Sequence, residues 1–116
     1  MADDIVIYHN QRCSKSRGAL EMLQEKGIEP RVRFYLQEPL SEKELRGLLK
    51  KLGIPASDLV RKNEALYKER YKNASLSENE WIKILSRHPG LIERPIVEKG
   101  DKAVVARPPE RVWEIL

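Results

Sequence analysis

The chain has a single cysteine, Cys13, in 116 residues, which excludes an internal disulfide and any zinc site built from several thiolates. Redox chemistry on this protein would have to borrow a second thiol from outside. Histidine is nearly as scarce, and His9, Cys13 and His88 have no spacing that matches a known ligand set, so no metal is expected. No apolar run approaches the ~20 residues of a membrane span, and no membrane association is expected. Met1-Ala2-Asp3-Asp4 offers no basic n-region, no apolar h-region and no cleavage site, and it leads straight into a strand-like segment. A cytoplasmic location is the expectation. Charge of one sign is also missing, since 22 Lys and Arg stand against 18 Asp and Glu. The two signs interleave from Glu42 to Lys72, which reads as solvated helix faces rather than a nucleic-acid stripe. The net charge of +4 suits a small oxyanion better. What remains is enough for one domain, residues 1–116, with its own core, expected to be a monomer that binds no cofactor.

Ile5-Val6-Ile7-Tyr8 is a short continuous apolar run, as in a strand buried on both faces. After the loop His9-Asn10-Gln11-Arg12, apolar residues at Ala19, Leu20, Met22 and Leu23 follow helical spacing, and Gly27 supplies a stop. Val32, Phe34 and Leu36 alternate with Arg31, Arg33 and Tyr35, predicting a half-exposed second strand, parallel to the first. Ser41 with Glu44 and Ser77 with Glu80 are capping boxes, each opening a helix. Leu45, Leu48, Leu49 and Leu52 form the face of the first helix, which stops at Gly53; Trp81, Ile84 and Leu85 form that of the other, which stops at His88-Pro89-Gly90. Between them, residues 56–71 predict a weaker helix through Leu59, Val60, Leu66 and Tyr67. Ile96-Val97 and Ala103–Ala106 flank the turn Lys99-Gly100-Asp101 as a hairpin, and Pro109 starts a last helix through Val112, Trp113 and Leu116. Both tryptophans lie on apolar stripes and are expected in the core, with Met22 as filler. The order βαβ, a helical insertion at about 40–90, then ββα is the thioredoxin-like α/β arrangement with a mixed four-stranded sheet.

In that arrangement the loop from the first strand into the first helix is where a reactive thiol belongs, and Cys13 occupies it. Helix N-terminal amides and the macrodipole stabilise an anion there. A thiol of pKa ~8.5 is a few per cent ionised at pH 7, and bringing it to ~6.5 takes about 2.7 kcal/mol, within reach of a helix end plus one or two cations. A lone cytosolic cysteine is often just an inert buried residue. The polar neighbours Asn10, Gln11, Arg12, Ser14, Lys15, Ser16 and Arg17 argue instead for an exposed, basic setting. His9 reads either as a structural histidine at a strand end or as a partner of the thiol.

Four separated stretches carry a resemblance: Tyr8 to Arg17, Arg61-Lys62-Asn63, Glu93-Arg94-Pro95-Ile96-Val97 and Ala106-Arg107-Pro108. In this order they resemble the glutaredoxin-coupled arsenate reductase family nearly end to end. The resemblance implies a thioredoxin-like fold with Cys13 as nucleophile, His9 tuning it, and Arg61, Arg94 and Arg107 binding the oxyanion. Asn10, Ser16 and Arg17 would support the site, and a cis Arg94–Pro95 bond would bring backbone beside the thiol. It further implies glutathione as co-substrate and glutaredoxin as a transient partner by thiol-disulfide exchange, in arsenical resistance. Arginine fits the part, because its planar fork pairs with tetrahedral oxyanions and never loses its proton. Taken singly, each arginine is an ordinary surface residue; the set carries the reading.

Other thiol classes fit less well. A phosphatase-like anion loop needs arginine six positions after the cysteine, where this chain has Ala19. Cys13-Ser14-Lys15-Ser16 lacks the second thiol of a dithiol oxidoreductase, leaving a monothiol disulfide oxidoreductase as one alternative. A non-enzymatic thioredoxin-like regulator binding RNA polymerase is the other. Ser14-Lys15 stands where the better-known family pattern has Gly-Thr.

Overall fold

The computed structural model describes residues 4–116, so the opening Met1-Ala2-Asp3 lies outside the described residues. The chain divides into two compact units, Met1–Glu38 with Arg94–Leu116, and Pro39–Glu93.

The first unit is built on a four-stranded sheet in the order β2-β1-β3-β4. Strand β1 (Ile5–Tyr8) passes through helix α1 (Ser14–Glu25) to β2 (Arg31–Arg33), pairing Ile7 with Val32 in parallel. β3 (Ile96–Lys99) runs antiparallel to β1 with Tyr8 opposite Ile96, and β4 (Lys102–Val105) closes the hairpin with Ile96 opposite Val105. This register puts the C-terminal ends of β1 and β4 and the start of β3 at one end of the sheet. The core gathers Ile7, Val97 and Val104 from the strands, Ala19 and Leu23 from α1, and Ala106 and Val112 from the C-terminal segment. Each fully buried aliphatic side chain is worth roughly 1.5–3 kcal/mol.

Four expectations for this unit need correction. The second strand ends at Arg33 because the chain turns at once, with Gln37 and Glu38 N–H groups both donating to Phe34 O. Tyr35, expected on an exposed face, is consequently buried. The last helix is a 3-10 helix, Pro109–Glu114, not an α-helix. At about three residues per turn it directs Val112 inward and its neighbour Trp113 outward. Trp113, expected in the core, is 42% exposed, with Lys26 Nζ 5.5 Å from its ring centroid.

The second unit holds α2 (Glu42–Leu52) and α3 (Glu78–Arg87), which pack against each other. Both capping boxes form: Ser41 Oγ accepts from Glu44 N at 3.1 Å and Ser77 Oγ from Glu80 N at 3.2 Å, and each glutamate reaches back to its cap N–H. α2 stops at Gly53, whose φ of +69° only glycine adopts without strain. The single helix expected over 56–71 is not formed. A 3-10 turn at Ala56–Leu59 is followed by Val60, which leaves helical geometry to bridge Ile92, and a π-helical turn spans Tyr67–Tyr71. Glu78 explains the early turn, its carboxylate accepting from Ala56 N at 3.0 Å. Tyr67 stacks on Trp81 with ring centroids 6.3 Å apart, Tyr71 meets it edge-on at 5.8 Å, and Trp81 is buried as expected.

Candidate active site

Cys13 is the N-cap of α1, in extended backbone at φ −96° and ψ 119°, and its carbonyl accepts the first helical bond from Arg17 N at 3.0 Å. An N-cap normally supplies a side-chain acceptor to the amides behind it. The neutral thiol makes no such bond, whereas a thiolate would be a strong acceptor in the same place. Burial works against that thiolate. The Ser16 amide, the charge of Arg94, the Lys15 amide and an Arg94 hydrogen bond outweigh it, and the thiol is held below its ordinary value. The expected exposure is wrong, because Cys13 is only 8% accessible. Cys13 stands among the buried core residues, yet its sulfur also feels a helix end and a guanidinium. The local sequence is polar, yet tertiary packing decides how much of it meets water.

Behind the thiol lies a buried polar knot. Ser16 Oγ sits 2.6 Å from His9 Nδ1 and accepts from Asn10 N at 3.1 Å, and both His9 and Ser16 are buried. Asn10 Oδ1 in turn accepts from Arg12 N at 3.0 Å, and Arg17 Nη1 donates to Gln11 O at 2.8 Å. These bonds tie residues 9–12 to the first turn of α1. Burial first, and then the charge of Arg17, hold the His9 imidazole below its ordinary value, which favours the neutral ring near neutrality. His9 thus meets Ser16 as a ring whose neutral form is favoured, rather than standing as a cation beside the thiol.

At the same end of the sheet the hairpin register continues past the strands. Ala106 N donates to Pro95 O at 2.8 Å, which sets the Arg94 and Arg107 backbones across from each other. Both Arg94–Pro95 and Arg107–Pro108 are cis, and Pro95 is fully buried. The charge of Arg94 acts on the Cys13 sulfur, and its Nε and Nη1 are buried with no hydrogen-bond partner among the described residues. Arg107 is exposed, and its guanidinium has no partner among the described residues. Arg61 belongs to the other unit, where Nη1 pairs with Glu64 at 2.7 Å and reaches Gly90 O at 3.3 Å, and Nε lies 3.9 Å from Glu93. Its charge is already balanced locally.

The Lys15 amide did not figure among the expected site groups, and the Ser16 amide matters as much as its hydroxyl. Both follow from a general signal, that the first amides of any helix lack intrahelical partners. Phe34, whose ring centroid is 6.0 Å from that of His9, could not be foreseen from a residue assigned to a strand. Among the described residues no group of three or more His, Cys, Asp or Glu could hold a metal ion, and no helix is long and apolar enough to cross a membrane.

The chain matches the ArsC family over residues 8–115. It is 49% identical over 114 residues to an arsenate reductase of Haemophilus influenzae, covering 97% of this chain and 98% of the relative. It is 48% identical over 118 residues to the uncharacterised Escherichia coli protein YfgD, covering 100% and 99% of the two. Among solved structures, an arsenate reductase from Vibrio cholerae superposes with a TM-score of 0.94 at 43% identity, over the whole of both chains. A cysteine at a helix N-terminus, a mixed sheet in the order found here and a match spanning nearly every residue lead to one conclusion: the chain belongs to the ArsC family and has its thioredoxin-like fold.

Proposed function

We propose that this protein is an arsenate reductase that uses Cys13 as nucleophile, with glutathione and glutaredoxin supplying the two electrons. The observation that carries this reading is Arg94, whose Nε and Nη1 are buried with no partner among the described residues and whose charge helps lower the Cys13 pKa. An unsatisfied buried charged donor costs more than the ~1–3 kcal/mol of a neutral one, so such a group calls for an anion to complete it. A tetrahedral oxyanion accepts from an arginine fork in a bidentate manner and from helix N-terminal amides at the same time. Arg107, just past the end of β4 and with its guanidinium unpaired among the described residues, adds a second cation. The kinship with named arsenate reductases supplies the choice of oxyanion.

In this mechanism the Cys13 thiolate attacks arsenic, an S–As bond forms and one oxygen leaves as hydroxide, which takes a proton to become water. Arsenic stays pentavalent. A glutathione thiol then adds to arsenic and displaces a second oxygen as water. The glutaredoxin thiol attacks the glutathione sulfur, so an S–S bond forms while the S–As electron pair passes to arsenic, which becomes trivalent. Hydrolysis of the remaining Cys13–As bond releases arsenite and restores the thiol. The sum is one arsenate and two thiols giving one arsenite, one mixed disulfide and one water. His9, buried and neutral, keeps Ser16 in place and leaves the charge stabilisation to Arg94.

The test is arsenite production from arsenate by the purified protein, with glutathione and glutaredoxin supplied together or singly. Turnover that needs both donors and is lost in Cys13→Ser supports the reading. Turnover retained in Cys13→Ser removes the nucleophile, and no turnover with any donor favours a regulator that binds RNA polymerase. Arg61→Lys decides whether the third arginine takes part, because an unchanged arsenate KM would exclude it.

A further inference from the structure

The loop ahead of Cys13 walls a cavity that the oxyanion chemistry leaves unused. It has a volume of about 260 Å³ and is lined by His9, Asn10, Gln11, Arg12, Leu36 and Gln37. Most of the hydrogen-bonding capacity of this loop is spent internally. Asn10 Oδ1 is taken by Arg12 N, Gln11 O by Arg17 and His9 Nδ1 by Ser16. The side-chain amides of Gln11 and Gln37 and the guanidinium of Arg12 remain without partners among the described residues. The free groups are therefore one full cation and two amides, with Leu36 as the apolar wall.

This inventory suits a small acidic peptide. Arg12 matches a carboxylate, amide side chains match peptide N–H and C=O groups, and Leu36 packs against methylenes. The size decides how much of it enters. A drug-sized ligand fills roughly 300–1,000 Å³, so the cavity seats one end of a tripeptide and leaves the middle residue outside. The cavity wall and the thiol also share one turn. Cys13 N donates to Asn10 O at 3.0 Å, and residues bonded in this way lie within ~7 Å of each other.

We infer that the cavity is the subsite for the thiol co-substrate: one terminal carboxylate of glutathione pairs with Arg12 among Gln11 and Gln37, and the cysteinyl residue is presented to arsenic held on Cys13. The inference rests on the thiol-coupled reduction proposed above and adds where the tripeptide docks. It separates the two substrates, with the oxyanion at Arg94 and glutathione at Arg12.

Two measurements test it. Arg12→Ala is expected to raise the glutathione KM about 10-fold, the loss of one charge-assisted hydrogen bond, and the arsenate KM does not follow it. Binding is read separately by titrating the wild-type protein with S-methylglutathione, a thioether that cannot react, and following backbone amide NMR signals. Shifts confined to residues 9–12 and 36–37, lost in Arg12→Ala, establish the subsite. Shifts elsewhere, no shifts, or a glutathione KM unchanged in Arg12→Ala overturn it. If the wild type does not reduce arsenate yet those amides shift, the cavity binds glutathione and only the reductase reading falls.

Discussion

The guanidinium of Arg94 helps hold the Cys13 thiol below its ordinary value, while two of its own nitrogens, Nε and Nη1, lie buried with no hydrogen-bond partner among the described residues. The pair lies far apart in the chain, and it joins two requirements of the proposed chemistry, a thiolate and a vacant donor set beside it.

The first prediction concerns ionisation. Because the Cys13 pKa is lowered, its thiolate is present above that lowered value and is lost as pH falls through it. The pH profile of iodoacetamide alkylation should have its midpoint below the ordinary thiol value of ~8.5. Arg94→Ala should move the midpoint upward, since the burial that opposes the thiolate would face only the helix amides. A profile identical in the two proteins would break the link between these residues.

Ser16 tests the knot behind the thiol. Ser16→Ala removes the partner of both His9 Nδ1 and Asn10 N, which are enclosed with it. Leaving buried polar groups unpaired costs ~1–3 kcal/mol, and the urea midpoint should fall accordingly. The Ser16 backbone N–H survives the substitution, so the alkylation midpoint should move less than in Arg94→Ala.

His9 makes the fold sensitive to mild acid. Its pKa is lowered on folding, so the stability it contributes is complete above its unfolded value of ~6.5 and is lost as pH falls through the lower folded value. Urea midpoints of the wild type should drop between pH 7 and 5. His9→Gln, which cannot titrate, should give a flatter profile over that window, and equal slopes would contradict the assignment.

The capping boxes should each matter on their own. Ser41→Ala and Ser77→Ala each remove an acceptor from a helix N-terminus and should cost about 1 kcal/mol by urea denaturation. The reason is local, so the effect should not depend on the state of Cys13.

Adjacent residues of the C-terminal 3-10 helix should behave oppositely. Val112 is fully buried, and Val112→Ala should cost about 2 kcal/mol; Trp113 is 42% exposed, and Trp113→Ala should cost under ~1 kcal/mol, mainly its contact with Lys26. Thermal unfolding of the two variants separates them, and a larger loss at Trp113 would restore it to the core.

Much of this protein is written in local chemistry. The capping boxes at Ser41 and Ser77, the glycine stop at Gly53, the apolar run of β1 and the place of Cys13 at the strand-helix junction depend on neighbours within a few residues. Those are the interactions that spacing and residue type express. The turn at Phe34 that buries Tyr35, the departure of Val60 from a helix to meet Ile92, and the outward face of Trp113 were not legible, because each depends on a partner or a packing direction set elsewhere.

The sequence by itself determined which groups are on offer for the proposed chemistry, one thiol at a helix N-terminus and several arginines. Only the tertiary structure decided their arrangement. Antiparallel pairing of β3 with β4 sets Arg94 across from Arg107, and packing buries Cys13 within the influence of the Arg94 charge while Glu64 claims Arg61. Long-range pairing, desolvation and competition for a charge belong to the folded chain, and no stretch of neighbouring residues encodes them alone.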